Sequence, residues 1–273
     1  MYEVNIKKVL QRIGTNDVVL DIGGWAQPFN RANYVIDVMP YETRGFFGKA
    51  GSEKEYFSKD TWINHDVSGK NPLPFENKKI DFAICSHILE DIRDPLFLCS
   101  ELIRVAKKGY IEVPSRIMES IMGVQNKHYA GFSHHRWLIE IKNSEIVFLF
   151  KSHLIHNSWK YHLPESYLKK ITDEEKITYL FWENSFKYKE IIQVSIQKTA
   201  QELETFIKSK NVYPPIFYKF DKIMRELKYK TFIKKKLNKY PELKKIVERI
   251  RGKPFQNNTE DAFWLNQPDY FSH

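Results

Sequence analysis

Asp21 closes the short apolar run Val18-Val19-Leu20 and is followed at once by Ile22-Gly23-Gly24. Sixteen residues later a second run, Tyr34-Val35-Ile36, also ends in an acid, Asp37. An apolar strand running into a glycine turn, then a strand ending in a carboxylate, suits a nucleoside-bearing cofactor. The glycines let backbone approach the ligand and the acid accepts hydrogen bonds from ribose hydroxyls. A second concentration of reactive side chains lies in residues 115–136, where His128, His134 and His135 stand with Arg116 and Arg136. Histidine exchanges protons near neutral pH, and arginine suits an anionic group such as a phosphate or carboxylate. The spacing of these histidines is not that of a regular ligand motif, and adjacent histidines rarely both reach one ion, so no metal site is expected.

The elements that must position these residues follow from periodicity. Ile6, Val9, Leu10 and Ile13 mark a first helix with Gly14 as its stop. Strands are expected at 18–21, 34–37, 62–66, 80–85 and 110–113. The first two are joined by an abbreviated crossover, because Pro28 interrupts a segment already too short for a full helix. Residues 41–58, with Gly45, Gly48 and Gly51, read as a mobile loop with aromatic contacts. Asp94 and Pro95 open a helix whose buried face is Leu98, Cys99, Leu102, Val105 and Ala106, with Gly109 as its end. After Pro114 the alternation stops. A hairpin is expected around Lys142-Asn143, with two further strands at 177–182 and 190–196. Strands alternating with helical stretches imply an α/β fold with a doubly wound, mostly parallel sheet.

Composition narrows the class. A chain of 273 residues with 42% hydrophobic and 15% aromatic residues can bury a real core. Its two cysteines, Cys85 and Cys99, make neither a disulfide framework nor a zinc site; both sit in apolar segments and read as core residues. The N-terminus lacks a basic-then-apolar signal pattern, and the apolar run at 146–150 is far too short to cross a bilayer, so a cytoplasmic location is expected. The net charge of +9 is concentrated at 218–253, where fourteen Lys/Arg face four Asp/Glu. Ile223, Leu227, Leu237, Tyr240, Leu243, Val247 and Ile250 recur there at amphipathic spacings broken at Pro241. A solvated helical appendage is the leading reading, ahead of contact with a membrane surface or an assembly partner. Nucleic acid comes last: Lys234-Lys235-Lys236 and Lys244-Lys245 offer charge, but no RNA-binding module accompanies them.

Five stretches taken in order resemble the successive motifs of class I S-adenosylmethionine-dependent methyltransferases. They are Val19-Leu20-Asp21-Ile22-Gly23-Gly24, Asp37, His65-Asp66-Val67, Leu73-Pro74-Phe75 leading to Asp81-Phe82, and Cys85-Ser86-His87-Ile88-Leu89-Glu90-Asp91-Ile92 with Asp94-Pro95. The match spans 18–113, under half of the chain. The resemblance implies a seven-stranded sheet binding S-adenosylmethionine. Asp21, Gly23 and Gly24 would form the turn beside the methionyl part, Asp37 would take the ribose, and Asp66 the adenine amino group. Val67 would offer the ring a backbone donor, and Ser86 and His87 would lie near the sulfonium. Trp25 and Gln27 stand where the family carries further glycines, so an aromatic face is expected to pack near the cofactor. The same turn lacks the G-x-G-x-x-G that suits the pyrophosphate of NAD.

Transfer to a hydroxyl needs a base, and His134 or His135 is the expected one, with Arg116, His128 and Arg136 binding the acceptor. His87 could also serve, although its motif suggests cofactor or structural contact. The expected organisation is a methyltransferase domain over 1–198, with an insertion at 115–136, and a basic helical extension over 199–273. The expected reaction is O-methylation of a small anionic or saccharide-linked acceptor. A weaker likeness points to methyltransferases of bacterial surface-glycan precursors. An RNA methyltransferase and a non-catalytic cofactor-binding subunit are the rivals.

Overall fold

The computed structural model describes residues 1–214 of the chain. The chain divides between Gln193 and Val194 into two units. In the first, α1 (Glu3–Leu10) precedes β1 (Val19–Ile22), β2 (Tyr34–Asp37), β3 (Trp62–Asn64) and β4 (Ile80–Ser86). There follow α2 (Pro95–Val105), β5 (Ala106–Pro114), α3 (Arg116–Glu119), β6 (Trp137–Lys142), β7 (Glu145–Phe150), β8 (Ile177–Glu183) and β9 (Lys187–Ile191). Of the second unit, α4 (Ile196–Ser209) is described, capped by the Ser195 hydroxyl and burying Thr199, Leu203 and Ile207 at four-residue intervals. The amphipathic basic positions read at 218–253 lie outside the described residues.

The main sheet has the order β3-β2-β1-β4-β5-β8, parallel throughout except that β8 runs antiparallel to β5. It thus has six strands among the described residues where seven were expected. A separate sheet, β6-β7-β9, joins the 137–150 hairpin to a parallel strand. Alternation along each strand sorts side chains to two cores. Leu20, Ile22, Cys85, Ile111 and Val113 share one with Leu98, Cys99 and Leu102 of α2 and with Ile139, Ile146 and Phe148 of the small sheet. Val19, Val35, Phe82, Ile84 and Tyr110 face the other way, against Val9 of α1 and the aromatics Phe29, Phe57 and Trp62. Both cysteines are free and buried, as the sequence suggested.

No helix links β1 to β2, in keeping with the interrupted crossover. Residues 41–58, expected to be a mobile loop, are instead laced to that crossover. Gly45 and Phe47 donate main-chain N–H groups to Trp25 and Ala26, and Ala50 exchanges hydrogen bonds with Pro28 and Asn30. Another difference concerns Gly109. The Asp94-capped helix ends at Val105 and passes directly into β5, so Gly109 lies inside a strand that begins at Ala106. Gly109 is there because β4 and Trp182 press on it: an added Cβ would overlap the Ala83 carbonyl oxygen and meet the Trp182 ring at 2.9 Å. The hairpin turn falls one residue later than expected, on Asn143 and Ser144 at φ 50° and 61°. A two-residue turn of this hand needs positive φ at both central positions, which Asn tolerates better than Lys. β9 likewise starts at Lys187, not at residue 190, because pairing with β7 outweighs the weak apolar signal of Lys187-Tyr188-Lys189. We expect Gly109→Ala to destabilise the protein by about 1–3 kcal/mol, the usual cost of overpacking. Denaturant unfolding followed by circular dichroism checks this.

Candidate functional site

Strand order runs β3-β2-β1 one way from the centre and β4-β5 the other, so the crevice between the carboxyl ends of β1 and β4 is the topological switch point where open α/β sheets take ligands. The glycine turn follows β1 at this point and the segment His87-Ile88 follows β4. Gly23 has φ +77°, donates its N–H to Ile36 O at 2.8 Å, and leaves no room for a Cβ against the Ile88 side chain. A Cβ on Gly24 would meet Asp21 Oδ2 at 2.5 Å and Val35 at 2.8 Å.

That contact explains Asp21, which is buried beneath the turn with Oδ2 accepting the Phe29 N–H at 2.9 Å. Burial pushes its carboxyl up to about 7. Asp37 accepts N–H groups from Trp25 on Oδ2 (3.0 Å) and Met39 on Oδ1 (2.9 Å), while burial raises its pKa. The Trp25 ring turns to the 41–58 segment. It stacks on Phe46 with centroids 6.0 Å apart, and its Nε1–H donates to the Thr43 carbonyl and hydroxyl. Asp66 is exposed, and hydrogen bonding from Ser68 holds its pKa low; Val67 packs against the core.

The most densely bonded group at this end is Glu112, absent from the residues singled out in the sequence. Its carboxylate is fully buried and receives the Tyr2 N–H at 2.9 and 3.1 Å, the Ser86 hydroxyl at 3.3 Å and the Tyr110 hydroxyl. His87 Nε2 lies 3.2 Å from Glu112 Oε1, and its Nδ1 lies 3.3 Å from Oε1 of buried Glu90. Burial alone would lower the His87 pKa, but the two carboxylates overrule it and raise the ring to about 9. Burial would likewise raise Glu112, yet His87 and Tyr110 bring it down to about 2. His87 also has φ +58°, a left-handed conformation uncommon for a residue with a side chain, fixed by its N–H on Glu112 O at 2.8 Å. A carboxylate in the apolar run Tyr110-Ile111-Glu112-Val113 was the available sequence signal.

The insertion is pinned to the segment after β4. Arg136 and Trp137 donate main-chain N–H groups to Glu90 O at 2.7 and 3.3 Å, and Trp137 Nε1–H donates to Ile92 O at 2.9 Å. This brings two of the predicted histidines to Asp91, a residue of the motif after β4 to which the sequence assigns no role. His135 Nε2 is 3.5 Å and His134 Nε2 3.8 Å from Asp91 Oδ1. The His135 side chain is 7% exposed, and its Nδ1 sits 2.7 Å from Glu119 Oε1. Glu119 in turn receives buried Lys151 at 2.5 Å. Burial lifts the Asp91 carboxyl above its usual range against the pull of His135. Arg116 is buried with Nη1 on Glu140 Oε1 at 3.2 Å, His128 is exposed in a turn with its N–H on Asn126, and Arg136 presents an exposed side chain. A hollow of about 350 Å³ lined by Arg12, Phe82, Lys108 and Trp182 lies at the opposite end of the sheet, where β5 begins.

No protein-family model and no curated protein matches this sequence. Among solved structures, one similar chain belongs to a complex between the Haloferax volcanii Trm112 methyltransferase activator and a candidate methyltransferase. The identity is 18%, over 40% of this chain and 50% of that one, with a TM-score of 0.30. Another is an S-adenosylmethionine-dependent methyltransferase from Aquifex aeolicus, 21% identical over 41% of this chain and 65% of that one, with a TM-score of 0.28. The chain therefore spans less than two thirds of either, and its function must be sought in its own residues.

The His87–Glu112 pair makes a pH prediction. A histidine whose pKa rises from 6.5 to about 9 on folding contributes stability that is complete below 6.5 and is lost as pH climbs through 9. A carboxylate lowered from 4.5 to about 2 contributes stability that is complete above 4.5 and is lost as pH falls towards 2. Between 4.5 and 6.5 both are present. Thermal melts should fall below that window and again above pH 7, with Asp21, raised from 3.8 to about 7, adding a decline between those two values, and His87→Gln should flatten the alkaline limb. An alkaline limb unchanged in His87→Gln would remove the pair as its cause.

Proposed function

We propose that this chain is an S-adenosylmethionine-dependent methyltransferase that methylates a hydroxyl of a small anionic or saccharide-linked acceptor, such as a surface-glycan precursor. The observation that carries the reading is the meeting, at one switch point, of the Gly23-Gly24 turn with the His87 segment, beside Asp37 at the end of β2. In this reading Gly23 and Gly24 pass close to the methionyl part, Asp37 takes the ribose, and Asp66 and Val67 take the adenine. Asp21 acts from below, by holding the turn through Phe29. Ser86 and His87 lie beside the sulfonium.

The acceptor oxygen attacks the methyl carbon in line with the carbon–sulfur bond, and sulfur keeps the bonding pair. The hydroxyl proton must also leave. Acceptor activation falls to His134 and His135, whose insertion is fixed to the segment following β4. Arg136 and His128, exposed on the same insertion, supply acceptor contacts; the Arg116 guanidinium is engaged with Glu140 and contributes through the fold. An RNA acceptor would draw on the lysines at 234–236, outside the described residues.

Two outcomes are expected. Asp37→Ala should weaken S-adenosylhomocysteine binding about ten- to a hundredfold by calorimetry; unchanged affinity in the folded variant would remove the cofactor reading. On an acceptor found by screening sugar phosphates and sugar nucleotides with labelled methyl donor, His134→Ala and His135→Ala should each lower turnover by roughly 10²–10⁴ at near-constant cofactor affinity. Full activity in both variants would sink the assignment.

A further inference from the structure

The turn at Ser133-His134, whose Ser133 N–H and hydroxyl both donate to Gln125 Oε1 at 2.9 Å, aims two neighbouring imidazoles at one oxygen. Asp91 Oδ1 lies 3.5 Å from His135 Nε2 and 3.8 Å from His134 Nε2, and one ligand atom from each residue falls within 4.8 Å of the others. Neither approach is a hydrogen bond: Asp91 Oδ1 is buried and has no hydrogen-bond partner. Glu119 is an ionised acceptor, so His135 Nδ1, 2.7 Å from its Oε1, carries the proton. In the neutral ring Nε2 then presents a lone pair, directed at Asp91 Oδ1 3.5 Å away. A cation placed among the three atoms would take a lone pair from each.

The spacing suits a transition metal. Bonds of about 2.0–2.1 Å at tetrahedral angles place ligand atoms about 3.3–3.4 Å apart, so the 3.5 and 3.8 Å separations need little closure. The surroundings suit it as well. A carboxylate on the remote nitrogen of a ligating histidine fixes the tautomer and orients the ring. Here Glu119 does this and is itself held by Lys151, whose Nζ also donates to Phe132 O at 2.8 Å. Access is open on one side, where the His134 side chain is 55% exposed.

We propose that Asp91, His134 and His135 form a binding site for a divalent transition-metal ion of the zinc class, with one coordination position open to an acceptor oxygen. Two imidazole nitrogens and one carboxylate select such an ion over the hard, oxygen-seeking Mg²⁺. The catalytic consequence rests on the methyl-transfer reading: an acceptor hydroxyl at the open position has its pKa lowered and gives up its proton more readily. Ion binding itself stands apart from that reading.

The test uses the full chain, stripped with chelator and then titrated with Zn²⁺ by calorimetry and with Co²⁺ by visible absorption, without cofactor or acceptor. One equivalent should bind, with a d–d spectrum of low-symmetry nitrogen and oxygen coordination. His134→Ala, a surface change that spares folding, and Asp91→Asn should abolish that equivalent. Glu119→Gln should weaken it about 10–100-fold, as loss of an orienting partner does, and His128→Ala should leave it intact. No uptake, uptake unchanged in His134→Ala, or binding of Mg²⁺ in place of Zn²⁺ overturns the proposal; the first would leave a proton as what lies between His135 and Asp91. S-adenosylhomocysteine binding measured on the same stripped protein keeps the two readings separate, since it is retained if only the metal site fails.

Discussion

A carboxylate buried at the end of a parallel strand is the constraint on which this end of the molecule depends. Glu112 is inaccessible to water, and an ionised group in that position is tolerated only if donors surround it. They come from three directions: the Tyr2 main chain entering α1, Ser86 and His87 leaving β4, and Tyr110 two residues earlier on β5. Asn5 of α1 donates to Tyr110 Oη at 2.8 Å and extends the network. Meeting the needs of one oxygen pair therefore fixes where the first helix begins and how the chain leaves β4.

The segment after β4 passes this order on. His87 faces Glu112 and Glu90, the Glu90 carbonyl anchors the insertion, and Asp91 meets the insertion's histidines. Five residues thus connect the switch-point crevice to the histidine cluster. Gly131 completes the arrangement at φ +60°, because a Cβ there would meet Glu119 Oε2 at 2.5 Å and push it from Lys151 and His135. The cluster is rigid on its His135 side and open on its His134 side. That suits a place which must hold a fixed group and still admit a ligand.

Much of the fold was legible from local pattern. Tyr34–Asp37 was read to the residue, and the Asp94-Pro95 helix start and the helix-free crossover at Pro28 were read correctly. These signals are carried by a few adjacent residues. Misreadings occurred where a neighbour overruled them. Gly109 looks like a helix stop until β4 and Trp182 are seen against it, and 41–58 looks loose until its hydrogen bonds to residues 25–30 are known. The sixth strand of the main sheet is Ile177–Glu183, which the sequence marked as a strand but could not assign to an edge of β5.

By itself the sequence determined the α/β alternation, the glycine turn after the first strand, the acid after the second, and a histidine-bearing insertion placed after the fifth. Period, turn residues and strand-ending acids are properties of contiguous chain, and contiguous chain is enough to state them. Tertiary structure alone decided which of the marked residues act together. Asp91 and His134 lie 43 positions apart, and Glu112 and Tyr2 lie 110 apart. No local rule relates them, because the distance between such groups is set by strand register and by the hydrogen bonds that pin the insertion. The same packing took Arg116 into an ion pair with Glu140 and left His128 at the surface. Burial, which gives an acid or base its particular charge and partner, exists only once the sheet has closed over it.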